Sequence, residues 1–431
     1  VGTGAAAGPA GAPGQDLRRL PARQSIGSRA RIFRLSGCAP SHSKHEVPFY
    51  SNTSTRYFCH FPDQGMTAKN MEENIMKRNL AGLACVIASA SAAAQTSGVT
   101  LYGVADANIE YTNNNLGTGP DGHSKVGVSS GGLSPSRWGL RGVEDLGGGK
   151  KALFALESGF SLDNGISTQG GRLFGRQAWV GMRAGAHQVT LGRQYTSLFL
   201  MMANYSPTAY ATTYEPVVGI AGANLREDNM VKYHVDLGPL TAEAHWSFGE
   251  QPGTVAGSSA YGGGFDYRIG SFGVAVAYDS INSAKTADYT RTQKAALGLR
   301  YQITPTLLAQ AAYRYNNNGT RAANTAARDD LWWAALNYQA TGALQLTGAF
   351  YYDNVKSLYT ATGKSNPSNP WQVTFIADYS LSKRTDVYLS TAYTKNASLN
   401  FESLNGAMAA YQIAPNEKSQ FGVAMGMRHK F

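Results

Sequence analysis

From Gly98 to the last residue, apolar and polar positions alternate with a period of two, the mark of a strand with two different faces. In the first such run Val99, Leu101, Gly103, Ala105, Ala107, Ile109 and Tyr111 make an apolar row, against Thr100, Asp106, Asn108 and Glu110. Leu240, Ala242, Ala244, Trp246 and Phe248 alternate with Thr241, Glu243, His245 and Ser247 in the same way. So do Trp371, Val373, Phe375 and Tyr379 with Gln372, Thr374, Asp378 and Ser380. The last run sets Phe421, Val423, Met425, Met427 and Phe431 against Arg428 and Lys430.

The connections alternate too. Seven are tight: Gly147 to Lys151, Arg183 to Ala186, Leu237 to Pro239, Ile269 to Ser271, Ile303 to Thr306, Ala340 to Ala343 and Leu381 to Thr385. Eight are long and polar, around Asn113 to Pro135, Asp163 to Arg172, Tyr195 to Asp228, Glu250 to Ser258, Ile281 to Thr292, Asn316 to Arg328, Asn354 to Asn369 and Lys395 to Ser419. Fifteen connections, 7 + 8, join 16 strands. About ten residues per strand suffices to cross a bilayer at a tilt of about 45°.

Parity alone does not say which face is outside, but size does. A barrel of 16 strands is too wide to fill with side chains, so the apolar row faces lipid and the polar row encloses water, the reverse of a soluble barrel. The predicted fold is all-β, a 16-stranded antiparallel transmembrane β-barrel. Closure removes the sheet edges that lipid cannot hydrogen-bond.

Composition agrees. Charged residues are 15% of the chain and 49 of 431 residues are Gly, against about 25% and about 7% in average globular proteins. No stretch reaches the about 20 consecutive apolar residues of a spanning helix. All three cysteines, Cys38, Cys59 and Cys85, precede residue 95. Residues 1–94 hold 11 Lys and Arg against 5 Asp and Glu, 11 − 5 = +6, and the remainder holds 27 − 23 = +4. The basic balance therefore belongs mostly to the leader and gives no ground for nucleic-acid binding.

Residues 76–94 read as a secretory signal peptide: Met76, the cations Lys77 and Arg78, an apolar run from Leu80 and the small residues Ala92 and Ala94 before the cut. Residues 1–75 show no period, and the reading is a non-native or untranslated leader. That leaves residues 95–431 as the barrel domain.

The runs SGVTLYGVADANIEY, SRWGLRGVEDLGGGKKALFALESGF, GRLFGRQAWVGM with VTLGRQY, and the terminal FGVAMGMRHKF resemble the general trimeric porins of β-proteobacteria and Neisseria. The resemblance covers Gly98 to Phe431. It implies a homotrimer in the outer membrane of a Gram-negative cell, each barrel holding a water-filled pore narrowed by its third long loop folded inward. Tyr195 to Asp228 stands in that loop's place. Phe431 is similar to the family's signal for the barrel-assembly machinery. The expected solutes are small, hydrophilic and preferably anionic.

A diffusion pore needs a width limit and a fixed field, and arginine keeps its charge in any such site. Arg137 lies opposite Trp138 and Leu140 and so toward water. Arg176 and Arg226 match family positions whose arginines line the constriction. Arg226 shares parity with Lys232, His234 and Asp236. The facing loop offers one carboxylate before its end, Glu215. Arg141, Lys232, His234 and Asp106 are further candidates for the pore wall, with Arg193 a weaker one. No cofactor or metal is expected: the five histidines after residue 94 are scattered, and no HExxH, GxSxG or CxxC occurs. An enzyme is not expected. The rival readings are a channel specific for one solute and an adhesin whose long loops bind host molecules.

Overall fold

The structure is a computed structural model that describes residues 98–222, 224–283, 291–319, 325–360, 363–405 and 410–431. The leader and signal-peptide assignments, residues 1–75 and 76–94, lie outside the described residues.

Among the described residues, eighteen strand segments form one antiparallel sheet. In order they are β1 (Gly98–Gly117), β2 (Gly119–Ser130), β3 (Arg137–Gly147), β4 (Lys150–Gly159), β5 (Gln177–Ala184), β6 (His187–Tyr195), β7 (Arg226–Leu237), β8 (Leu240–Ser247) and β9 (Ala260–Ile269). There follow β10 (Phe272–Asn282), β11 (Arg291–Thr304), β12 (Leu307–Asn318), β13 (Thr325–Gln339), β14 (Leu344–Thr360), β15 (Gly363–Ser365), β16 (Trp371–Ser380), β17 (Thr385–Lys395) and β18 (Ser419–Lys430).

Sixteen of these are barrel strands once two extras are assigned. Long β1 pairs with β3 through Gly98 to Val104 and with β2 from Ala107 to Gly117. Thus β2 and β3 are two halves of one strand, interrupted at residues 131–136. Three-residue β15 pairs antiparallel with the end of β14, Leu358 to Thr360, beyond the stretch that β16 covers, and adds no strand to the ring. The ring closes where β1 pairs with β18, from Val104 with Lys430 to Thr112 with Gly422. The N–H of Gly103 donates to Phe431 O at 3.0 Å and the Phe431 N–H donates back at 3.1 Å.

The seven tight turns fall between strands as the sequence predicts. The first long connection does not. Asn113 to Pro135 is not a loop: most of it is the β1–β2 hairpin, whose register runs from Ala107 with Ser130 to Gly117 with Gly119. Only residues 131–136 leave the sheet.

The inversion of faces is direct. Val99, Leu101 and Ile109 are 60 to 65% exposed, whereas Asp106, Gln372 and Gln420 on the other parity are fully buried. Exposed apolar side chains recur around the sheet, among them Val180, Leu191, Trp332, Phe350 and Met425. A single apolar side chain in water is ordinary, but a continuous band of them marks a surface that is not in water. No helix among the described residues is long and apolar enough to cross a membrane; the strands do so.

Candidate functional site

Three arginines predicted from the sequence meet on one stretch of wall. On β3, Arg137 shares a face with Gly139 and Arg141, since these pair with Val104, Tyr102 and Thr100 on the polar side of β1. On β4 the same face carries Glu157, opposite Gly139. Glu157 is buried, and Arg176 Nε donates to its Oε1 at 2.7 Å. Arg137 Nε stands 3.6 Å from Glu157 Oε2, and the Tyr102 hydroxyl donates to the same oxygen at 3.0 Å.

Tyr195, the last residue of β6, completes the group. Arg176 Nη2 and Arg226 Nη2 both donate to its hydroxyl oxygen, at 2.7 and 2.6 Å. The Arg226 guanidinium also lies over the Tyr195 ring, 4.1 Å from its centroid. The cluster holds three guanidinium groups and one carboxylate, 3 − 1 = +2.

Strand parity leads to these positions by uneven routes. Arg176 shares parity with Ala178 and the exposed Val180, but it precedes β5, where alternation does not yet apply, and its side chain turns to Glu157. The parity linking Arg226 to Lys232 does not hold. Between Gly192–Met230 and Gln194–Glu227 the register slips by one residue, and Asn229 takes a φ of 52°. A bulge reverses the faces beyond it. Arg226 joins the cluster because it begins β7 beside Tyr195.

The remaining predicted residues are distributed differently. Glu215 is not a partner of the arginines: it is buried and accepts from Ser206 and Thr208 hydroxyls and from the Tyr351 hydroxyl at 3.1 Å. Burial raises its carboxyl above the usual range, with those donors pulling the other way. Asp106 is on the polar face but does not line open space. Its carboxylate accepts the N–H groups of Gly132, Leu133 and Ser134 at 3.0, 2.9 and 2.8 Å and the Tyr388 hydroxyl at 2.6 Å. The strand break at residues 131–136 thus covers it. Lys232 is also buried, donating to the Tyr195 carbonyl at 2.5 Å. His234 sits between Glu243 and Asp236, 3.0 Å from each. Arg141 is exposed, its guanidinium 5.3 Å from the Tyr102 ring centroid. Arg193 pairs with Asp228 at 2.8 Å. Phe431 is the C-terminal partner of Gly103.

Glu157 was missed by sequence reasoning, although a signal exists. In KALFALESG it is the only acid on the face opposite Phe154 and Leu156, two strands from Tyr102. Tyr195 gave no signal of its own.

The connection from β6 to β7 leaves this cluster and runs along the polar face. Thr196 caps the helical turn Ser197–Met202, which buries Leu198, Met201 and Met202. Beyond it the Tyr205 hydroxyl donates to Asp266 on β9 at 2.7 Å, and Trp333 Nε1 on β13 donates to the Tyr205 carbonyl at 2.8 Å. Gln372 and Thr374 on β16 donate to the Tyr214 carbonyl at 3.0 and 2.7 Å. The connection therefore touches strands from β8 to β16, through Ser197 with His245 at one end.

A second connection, between β17 and β18, docks beside it. The Asn400 amide donates to the Thr212 carbonyl at 3.1 Å, and Leu399 and Phe401 are fully buried. Burial pushes the nearby Glu402 carboxyl up to about 7 from 4.5; the Tyr411 N–H, donating at 2.9 Å, opposes the rise and the Glu110 carboxylate adds to it. A carboxyl raised in the folded state binds its proton more tightly there. Docking is therefore strongest below pH ~4.5 and weakens through ~7, by about 3 kcal/mol at most. Amide exchange at Tyr411, corrected for intrinsic rate, should quicken across that window and lose its pH dependence in Glu402→Gln. A flat profile in the unsubstituted protein would remove the assignment.

Residues 81–399 match the family model for Gram-negative porins. The chain is 29% identical to the outer membrane porin protein 32 of Delftia acidovorans, over 83% of this chain and the whole of that one. It is 28% identical to an outer membrane porin of Bordetella pertussis over the same shares. In fold it is similar to an anion-selective porin from Comamonas acidovorans, with a TM-score of 0.64 and 24% identity over 78% of this chain and all of that one.

Proposed function

The chain belongs to the Gram-negative porin family, and from that premise we propose that its barrel is a water-filled, anion-preferring diffusion channel whose narrowest section is the arginine cluster. The observation that carries the anion preference is the gathering of Arg137, Arg176 and Arg226 around Tyr195 and one carboxylate, Glu157, which pairs with Arg137 and Arg176 only, leaving a surplus of two positive charges. Fixed charge at a constriction selects by sign, because a passing ion there has lost part of its hydration and most of its screening.

In this reading the β6–β7 connection crosses the lumen and sets the width. Its hydrogen bonds to Asp266, Trp333, Gln372 and Thr374 support this, since all four lie on the polar face of the sheet. Its anchor is Glu215, which faces Tyr351 and not the arginines. The functional unit is a homotrimer delivered by a cleaved signal peptide and inserted through Phe431 and the barrel-assembly machinery. Transport is passive, with no catalytic step, cofactor or metal.

The test is planar-bilayer recording of the purified protein in a roughly tenfold KCl gradient at low ionic strength, where surface charge is least screened. The expected reversal potential has the sign of chloride preference, and closure occurs in three equal steps. A potential of the opposite sign overturns the anion preference; single-step closure overturns the trimer.

A further inference from the structure

Tyr195 is held on every side. Its carbonyl accepts from Lys232, and the next N–H, that of Thr196, donates to the Leu225 carbonyl at 3.1 Å. One ring face is covered by the Arg226 guanidinium. The other lies against the Phe199 ring, with centroids 4.5 Å apart and planes within 8°. Phe199 in turn stacks on Tyr210 at 4.4 Å, and the Tyr210 hydroxyl donates to the Phe199 carbonyl at 3.0 Å. The result is a four-layer stack, Arg226, Tyr195, Phe199 and Tyr210, running from the cluster into the β6–β7 connection.

Both faces of the Tyr195 and Phe199 rings are occupied within the protein. The stack therefore offers edges and no free ring face, which does not suit a sliding surface for sugars or aromatic solutes, whose recognition uses faces. Its polar end does something different. Two guanidinium groups of like charge share the Tyr195 oxygen, while Glu157 bonds Arg176 and not Arg226. Arg226 has no carboxylate partner among the described ion pairs, so the phenol and its ring are what fix that charge in place.

We propose that Tyr195 is a positioning residue for ion selectivity: it locks Arg176 and Arg226 side by side and couples their placement to the β6–β7 connection through the ring stack. This rests on the reading of the cluster as the constriction. Removing only the hydroxyl leaves Arg226 over the ring and Arg176 on Glu157 but takes away the oxygen that holds their Nη2 atoms together, so the two guanidinium groups shift apart under their mutual repulsion, which spreads the positive field and weakens its focus.

The experiment is the reversal potential of Tyr195→Phe in bilayers under a roughly tenfold KCl gradient. The anion-over-cation permeability ratio should fall at least about twofold. A role confined to packing would lower unfolding temperature without moving this ratio. In an Arg176→Gln/Arg226→Gln background, Tyr195→Phe should have no further effect, because the groups it positions are gone. Phe199→Leu, which keeps the oxygen and removes its backing ring, should shift the ratio less and in the same direction, and it carries the test if Tyr195→Phe fails to insert. An unchanged ratio in Tyr195→Phe, with a changed one in the double glutamine protein, overturns the positioning role and leaves the constriction standing. A wild-type ratio in the double glutamine protein overturns the constriction, and the positioning role with it.

Discussion

Replacing Arg137, Arg176 and Arg226 together by glutamine should carry the reversal potential across zero, turning an anion-preferring channel into a cation-preferring one. The cluster then passes from 3 − 1 = +2 to −1, because Glu157 remains. One unit charge about 5 Å from an ion in water-like surroundings is worth about 0.8 kcal/mol, roughly a factor of four in relative occupancy. Three such changes should shift the permeability ratio by tenfold or more, allowing for partial screening at about 10 Å Debye length. Arg176→Gln alone is a poorer test, since it strips a buried carboxylate of its closest partner, a change that destabilises by ~3 kcal/mol or more. Adding Glu157→Gln to the triple variant removes that cost and should bring selectivity near neutral. If the triple variant keeps its anion preference, the selecting charge lies elsewhere in the barrel.

The second large effect is on stability. Asp106→Ala removes the acceptor for three backbone N–H groups and the Tyr388 hydroxyl at once. Hydrogen bonds to a charged acceptor contribute about 1.5–3 kcal/mol each, and a shared hub is not additive, so the expected loss is about 3–5 kcal/mol. Residues 131–136 would leave the wall, taking Leu133 from its pocket with Ala211, Ile376 and Tyr388. The Thr213 N–H would lose the Gly132 carbonyl, now 3.0 Å away, and with it a tie between the strand break and the β6–β7 connection. Thermal unfolding followed by circular dichroism measures the loss, and single-channel recordings should show added noise from the freed segment. A melting temperature within a degree or two of the unsubstituted protein would mean that the hub does not hold the break in place. Asp106→Asn should fall between, since it keeps one oxygen but turns an N–H₂ toward N–H donors.

Strand alternation carried most of the fold. Seven tight turns, the lipid-facing row from Val99 to Met427 and the count of 16 barrel strands are legible because each is a local property of a short stretch of chain. What stayed hidden was that residues 119–130 pair as a strand, so that residues 131–136 interrupt the wall instead of ending a long loop, and the reason is physical. GGLSPS has the composition of a loop, and only the neighbouring strand supplies the carboxylate that lets Gly132, Leu133 and Ser134 turn inward without orphaned N–H groups.

The candidate site divides in the same way. Arg137 could be placed from its own strand, because Trp138 and Leu140 fix the face. For Arg226 the same logic reached the right neighbourhood by the wrong path: the bulge at Asn229 resets parity, and an asparagine, which tolerates positive φ, is too common a residue to announce it. Glu215 looked like the carboxylate that would oppose the arginines, and the fold instead uses it to tie its own connection to Tyr351. Sequence by itself determined which side chains share a face, since period two needs no knowledge of other strands, and the count of 16 strands turned the apolar face to lipid. Tertiary structure alone decided that Glu157 and Tyr195 are where the three arginines meet. That depends on the register between β3, β4, β6 and β7 and on where the chain re-enters the sheet, and those registers follow from turn geometry and from bulges such as the one between Gly192 and Gln194, which no single strand encodes.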